Sequence, residues 1–167
     1  ERGLLQHELA GRILVPFCPE SSLSGVGNTD FLNAVWYRRA VTIPADWTGQ
    51  RVLLHFQAVD HDATVWVNEQ ELGRHRGGFT PFSVELPEDV IGHEATIVVR
   101  ARDYNRVPQA RGKQAQTYGN FECVYTRTTG IWQTVWLEPV PEVALRRPRL
   151  TPDVANSLIR LVQPISA

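Results

Sequence analysis

Apolar and polar positions alternate with a period of two along most of this chain, in short runs punctuated by glycine, proline, asparagine and aspartate. That is the pattern of half-buried strands. The clearest stretch is residues 59–86. Ala63, Val65 and Val67 point one way while Thr64 and Trp66 point the other, and the polar run Asn68-Glu69-Gln70-Glu71 then reverses the chain. Leu72 with Gly73 makes a brief return strand, Arg76-Gly77-Gly78 supplies φ-permissive residues for a second bend, and Phe82, Val84 and Leu86 alternate again. Residues 35–43 read as a strand with neither face purely apolar. After the turn at 44–49, Val52, Leu54 and Phe56 open the next strand opposite Leu53, His55 and Gln57. Residues 87–92 are another turn with room for one helical turn, and 95–102 form a strand whose Ile97, Val99 and Ala101 face inward. Residues 131–138 form the last strand of the series, alternating Ile131, Val135 and Leu137 against Trp132, Thr134 and Trp136. Many short strands, turn residues between them and no long amphipathic helix predict an all-β protein, an antiparallel sandwich of jelly-roll or Greek-key type.

Three stretches break the alternation. Residues 1–12 are an N-terminal arm that reads equally as a short helix or a docking strand. In residues 16–30, Pro16 and Pro19 bar regular pairing and Gly25 and Gly27 permit sharp bends, so a structured loop is expected. Its polar tip, Glu20, Ser21 and Ser22, is placed to meet a ligand or simply to be solvated. Residues 104–124 carry no apolar periodicity, are rich in Gln, Asn, Arg, Tyr and Gly, and form the longest irregular excursion. Beyond Pro139 and Pro141 the character changes. Residues 142–167 hold one or two strands with too little sequence to bury both faces, so they are expected either to pack back on the sandwich or to open a further domain.

Composition narrows the chemistry. At 167 residues the chain can bury roughly 70% of its extended-chain surface without disulfide or metal. Its formal net charge of −1 gives no global field for a polyanion or an acidic membrane face, so no nucleic-acid partner is expected. No apolar run approaches the roughly 20 residues of a membrane-spanning helix, and no membrane partner is expected. Cys18 and Cys123, the only thiols, neither make a disulfide framework nor show zinc-ligand spacing, and they do not fix the compartment. The chain contains no methionine, which points to a segment of a longer protein. Asp60-His61-Asp62 places two carboxylates on one strand face with His61 opposite, which splits the ligands a metal needs. No metal and no cofactor is expected. The histidines lack nucleophile-base spacing, and no phosphate-cradling loop is present. Trp36, Trp66, Trp132 and Trp136 suit core or interdomain packing, or alternatively a sugar-stacking platform.

Function is carried by a succession of motifs: WYRR at 36–39, RVLLHFQAVDHDATVWVNEQELGRHRGGFTPFSVEL at 51–86, VVRARD at 98–103, RGKQ at 111–114 and YTRTTGIWQTVWLEPV at 125–140. In order and spacing, over residues 13–141, it resembles the N-terminal sugar-binding domain of glycoside hydrolase family 2, the family of β-galactosidases, β-glucuronidases and β-mannosidases. The resemblance implies a galactose-binding-domain-like jelly roll, followed in the complete protein by an immunoglobulin-like sandwich and a TIM barrel. Residues 142–167 would then be a linker and the first strands of that second domain. It also implies a retaining glycosidase, which needs two carboxyl groups about 5–5.5 Å apart. The resemblance puts those carboxylates on the barrel, so no catalytic residue is expected in this chain. Asn68-Glu69 reproduces the Asn-Glu pair of the family's acid/base motif, but it follows a strand in a hairpin position and reads as turn chemistry.

The same resemblance implies that loops of this domain touch the terminal sugar of a β-glycoside. The matching segments are the Pro-Glu-Ser-Ser loop and the excursion from Arg111 to Arg127, with Glu20, Ser22, Arg111, Lys113, Gln114, Glu122, Tyr125 and Arg127 as candidate contacts. Planar carboxylate, amide and guanidinium groups bind hydroxyl pairs while an aromatic face covers the apolar side of the ring. The arginines have an alternative use, pairing with nearby carboxylates or with a neighbouring domain. The β-galactosidase branch carries an acidic sugar contact a few residues before the Gly of its final strand; the equivalent place here falls near Val124, with Glu122 close by, a departure that counts against galactose specificity. Two further roles stand beside the loop-contributing domain: an autonomous carbohydrate-binding module or lectin, and a domain used for oligomer contacts alone.

Overall fold

Strands form where the alternation is cleanest. The computed structural model describes Leu9 and residues 11–166, so the N-terminal arm lies outside the described residues except for Leu9, Gly11 and Arg12. Eleven strands follow one another among the described residues: β1 (Ala34–Thr42), β2 (Arg51–Phe56), β3 (Val59–Asp60), β4 (Asp62–Val67), β5 (Gln70–Arg76), β6 (Phe82–Glu85), β7 (Glu94–Arg102), β8 (Gly130–Ile131), β9 (Val135–Val140), β10 (Arg149–Asp153) and β11 (Leu158–Val162). The only helical elements among them are single 3-10 turns, two of which sit in the connections at 45–47 and 88–90.

Two antiparallel sheets enclose the core. One has the order β1-β7-β4-β5 and the other β6-β2-β9. The inward residues of both, among them Tyr37, Ile43, Val52, Leu54, Phe56, Val65, Val67, Val84, Val99 and Ala101, form one buried cluster. Burying each large apolar side chain contributes about 1.5–3 kcal/mol, which is what makes the period of two decisive. Register follows the turns. Asn68 and Glu69, both at positive φ, form the two-residue loop between β4 and β5, and the Asn68 side chain accepts a bond from the Thr96 amide at 2.9 Å. On the outer face of the larger sheet Trp36 stacks on Trp66 with ring centres 5.7 Å apart, and the Arg100 guanidinium lies over both. Trp136 stacks on His55 on the other sheet.

The expected strand over 131–138 is two strands. β8 pairs with β3, β9 pairs with β2, and residues 132–134 stand opposite residues 57 and 58. Three residues facing two make a bulge, which separates the β3–β8 ladder from the β6-β2-β9 sheet. Ile131 and Val135 are an even number of positions apart, so the alternation reads straight through the bulge. This corner, with the β3–β8 ladder at its centre, carries the site described below.

The tail stands apart. β10 and β11 pair only with each other, a further bridge joins Leu145 to Ile165, and Leu150, Leu158, Ile159, Leu161 and Val162 are all exposed.

Candidate functional site

Asp60 ends β3 at the corner, and its carboxylate is the anchor of the long excursion. The side chain is 1% exposed, and its Oδ2 accepts a bond from the Gln114 Nε2 at 2.7 Å. Gln114 then uses its other end, Oε1, to accept the Thr128 amide at 2.9 Å. One amide thus ties the strand to both limbs of the excursion. The limbs are also zipped by backbone: Ala115 N–H donates to the Tyr125 carbonyl at 2.7 Å and Tyr125 N–H to that of Lys113 at 3.0 Å. Space for the Asp60 carboxylate comes from Gly78, where a Cβ would stand 2.6 Å from Oδ1. The backbone oxygen of Gly78 accepts the Trp132 indole N–H at 2.9 Å, which seats that ring at the corner.

Two more acids lie buried near this anchor. Glu20 accepts the Thr129 amide on Oε2 at 3.2 Å, and Asp103 accepts the Gln109 side-chain amide. Burial pushes the Asp60 carboxyl up to about 6. The Gln114 bond and the Arg111 charge oppose this rise, and the charges of Asp103 and Glu20 add to it. Burial raises the Asp103 carboxyl as well, against its Gln109 bond and the charges of Arg111 and His61. Burial, then Glu20, raises the Cys18 thiol. Tyr37 stands beneath the same corner. Its hydroxyl accepts the Ile131 amide at 3.1 Å beneath Gly130, whose positive φ and missing side chain make room for the ring. Burial also raises the Tyr37 phenol.

The eight expected contact residues divide between the interior and the surface. Glu20 and Gln114 are buried in the anchor just described. Arg127 is buried too. Its guanidinium donates to the carbonyls of Thr117 and Thr29 and lies 3.9 Å from the centre of the Phe31 ring and 5.8 Å from that of Tyr118. Arg111 is half-buried and donates to the carbonyls of Tyr104 at 3.0 Å and Val107 at 2.8 Å, closing the first turn of the excursion. Lys113 and Tyr125 are exposed side by side, with the Lys113 amide 3.3 Å from the Tyr125 hydroxyl. Ser22 is exposed in a 3-10 turn, and Glu122 is exposed at positive φ in the turn that closes the excursion. Among the described residues no three His, Cys, Asp or Glu side chains converge as a metal site, and His61 Nδ1 is 3.9 Å from Asp62.

Sequence reasoning did not single out Asp60 as an anchor, nor Phe31, Tyr104 and Tyr118. Phe31, Tyr104 and Tyr118 wall a groove of about 620 Å³ whose other lining includes Asn33, Asn105, Arg106 and Gln116. Tyrosines among amides in an aperiodic segment were the available signal.

Comparison with known proteins bears on this corner. The model described as "Glycosyl hydrolases family 2, sugar binding domain" matches residues 26–141. A β-glucuronidase of Paenibacillus borealis is 35% identical over 88 residues, half of this chain and 15% of that protein. A β-galactosidase of Thermoanaerobacter pseudethanolicus is 28% identical over 113 residues, 65% of this chain and 14% of that protein. The solved β-glucuronidase of Faecalibacterium prausnitzii superposes with a TM-score of 0.68 at 26% identity, covering 93% of this chain and 30% of that one. The chain therefore spans only a minor part of these relatives. Since the family match extends over most of the sandwich and both limbs of the excursion, the chain belongs to glycoside hydrolase family 2, as its sugar-binding domain.

Proposed function

We propose that this chain is the non-catalytic sugar-binding and scaffold domain of a retaining family 2 β-glycosidase, and that the excursion at the β3–β8 corner supplies part of the substrate pocket. The observation that carries the reading is the anchor: Asp60, Gln114, Glu20 and Arg127 fix some 25 irregular residues from inside, while Lys113, Tyr125, Glu122 and Ser22 stay exposed on the fixed surface. A loop held this way has lost its conformational entropy before any ligand arrives, which is what a pocket wall requires. The partners in this reading are the terminal sugar of a β-glycoside and immunoglobulin-like and TIM-barrel domains of the same chain. The β10–β11 hairpin supports the second part, because its exposed leucines, isoleucine and valine need cover from further strands.

The test uses a longer protein that carries a barrel. Lys113→Ala and Glu122→Ala, both on exposed side chains, should lower kcat/KM on its β-glycoside by about tenfold or more through lost polar contacts, with Tm unchanged. Unchanged kcat/KM in both variants would leave the excursion with no substrate role and favour a domain used for packing alone.

A further inference from the structure

The groove beside the anchor has a chemistry of its own. Its walls are rings, its rim is amide, and among the residues lining it Arg106 is the one charged group, with no carboxylate on any side. Arg106 is exposed and has no ion-pair partner among the described residues. The rings are braced from behind. Tyr118 packs edge-on against Phe31 with centres 4.9 Å apart over the Arg127 guanidinium, and Arg102 lies 5.3 Å from the centre of Tyr104. Arg111 holds the turn that presents Tyr104 and Arg106 by bonding the carbonyls at its two ends. Yet Tyr118 is 68% exposed and Tyr104 41%, so rigid aromatic faces are turned to solvent. The main groove lies within the range of about 300–1,000 Å³ usual for ligand sites. A second hollow of about 400 Å³ adjoins it, sharing Asn105, Arg106, Val107 and Gln116 and adding Pro108.

We propose that this groove binds an acidic oligosaccharide, the rings of Tyr104 and Tyr118 covering sugar faces, Asn105 and Gln116 meeting hydroxyls, and Arg106 taking a uronate carboxylate. The proposal rests on the sugar-binding reading above and names the class of glycan. A pyranose ring presents an apolar C–H face to an aromatic ring and hydroxyl pairs to planar amides, while a guanidinium matches a carboxylate with two parallel bonds. Two adjoining hollows with one cation at their shared lining suit a chain of sugars bearing carboxylates better than a single neutral ring. A neutral apolar ligand would leave that cation without a partner.

The test is an NMR titration of the 167-residue chain with tetragalacturonate and, separately, with neutral cellotetraose. The expected result is a dissociation constant of about 1 mM or tighter for the acidic probe, with shifts concentrated at residues 104–107 and 116–118. Binding of the neutral probe should be about tenfold weaker. Arg106→Gln should erase that difference by weakening the acidic probe alone, Tyr118→Ala should weaken both probes, and Tyr118→Phe should leave both unchanged. Arg106 and Tyr118 are exposed, and because Tyr118 also covers the Arg127 guanidinium, unshifted amide signals over residues 127–129 and an unchanged Tm serve as the control that each variant keeps the anchor. Equal affinity for the two probes, no saturable shift at all, or an acidic preference that survives Arg106→Gln would each overturn the proposal. Loss of kcat/KM in the Lys113 and Glu122 variants is a separate readout, so either reading fails without the other.

Discussion

Replacing Asp60 by asparagine isolates the electrostatics of the anchor. The carboxyl sits near 6 in the folded chain against 3.8 for an ordinary aspartate, because burial disfavours its charged form more than Gln114 and Arg111 favour it. Between those two values the folded state holds a proton that the unfolded state has released, so stability falls as pH rises through the interval. Stabilisation from this group is fully present below 3.8 and gone above the folded value. A displacement of about two pK units corresponds to about 3 kcal/mol in all, of which about 2 kcal/mol is lost between pH 4.5 and 7.5. Asparagine keeps the shape and an oxygen for the Gln114 amide, and it does not titrate, so it stands in for the protonated acid. Urea unfolding of both proteins at pH 4.5 and 7.5 gives four free energies. Carboxylates remote from this cluster cancel in the comparison, and the stability of Asp60→Asn relative to the parent should rise by about 2 kcal/mol from the lower pH to the higher. A difference that does not change with pH, or one that changes in the opposite sense, would show that Asp60 is not held in a desolvated site.

Two further outcomes follow from the same cluster. Gln114→Ala leaves the Asp60 Oδ2 and the Thr128 amide without partners, so it should cost about 2–5 kcal/mol by urea unfolding. Since the Gln114 bond also favours the ionised Asp60, that cost should be greater at pH 7.5 than at pH 4.5, and amides over 113–129 should lose hydrogen-exchange protection. Gly78→Ala drives a methyl group to within 2.6 Å of the Asp60 carboxylate and should lower stability by about 1–3 kcal/mol, a cost that should fall when Asp60 is shortened to alanine. Equal costs in the two backgrounds would show that the carboxylate is not the obstacle.

What the sequence made legible is what burial selects. β2, with its alternation of buried Val52, Leu54 and Phe56 against half-buried neighbours, was readable because one face meets the core and each wrong residue there costs stability. The Asn68-Glu69 loop was readable because a two-residue reversal needs left-handed backbone. The corner was not. A bulge inserts one residue on one strand only, so its signature lies in the pairing of distant segments, and nothing in residues 131–138 alone records that residues 57 and 58 face them. The return strand also runs longer than Leu72-Gly73 suggested, from Gln70 to Arg76, because its Arg74 and Arg76 face solvent beside Glu71 and Asp62 and carry no apolar signal.

The excursion is a harder case, since its polar side chains go in two directions with no period to announce which. Gln114 is buried and Lys113 beside it exposed; Arg127 is buried and Tyr125, two residues before it, is exposed. Direction is set by which buried groups need a partner: Asp60 and the Thr128 amide take the two ends of Gln114, and the carbonyls of Thr29 and Thr117 take Arg127. A polar loop therefore has an inside, defined by unsatisfied groups rather than by hydrophobicity, and the stretches RGKQ and YTRT each contribute one member to it and one to the surface. In the proposed reading the inside members set how firmly the surface is held, and the surface members are the ones offered to a sugar. Substitutions at Gln114 and Arg127 should accordingly act first on stability and only through it on binding, whereas those at Lys113 and Tyr125 should act on binding with the fold intact.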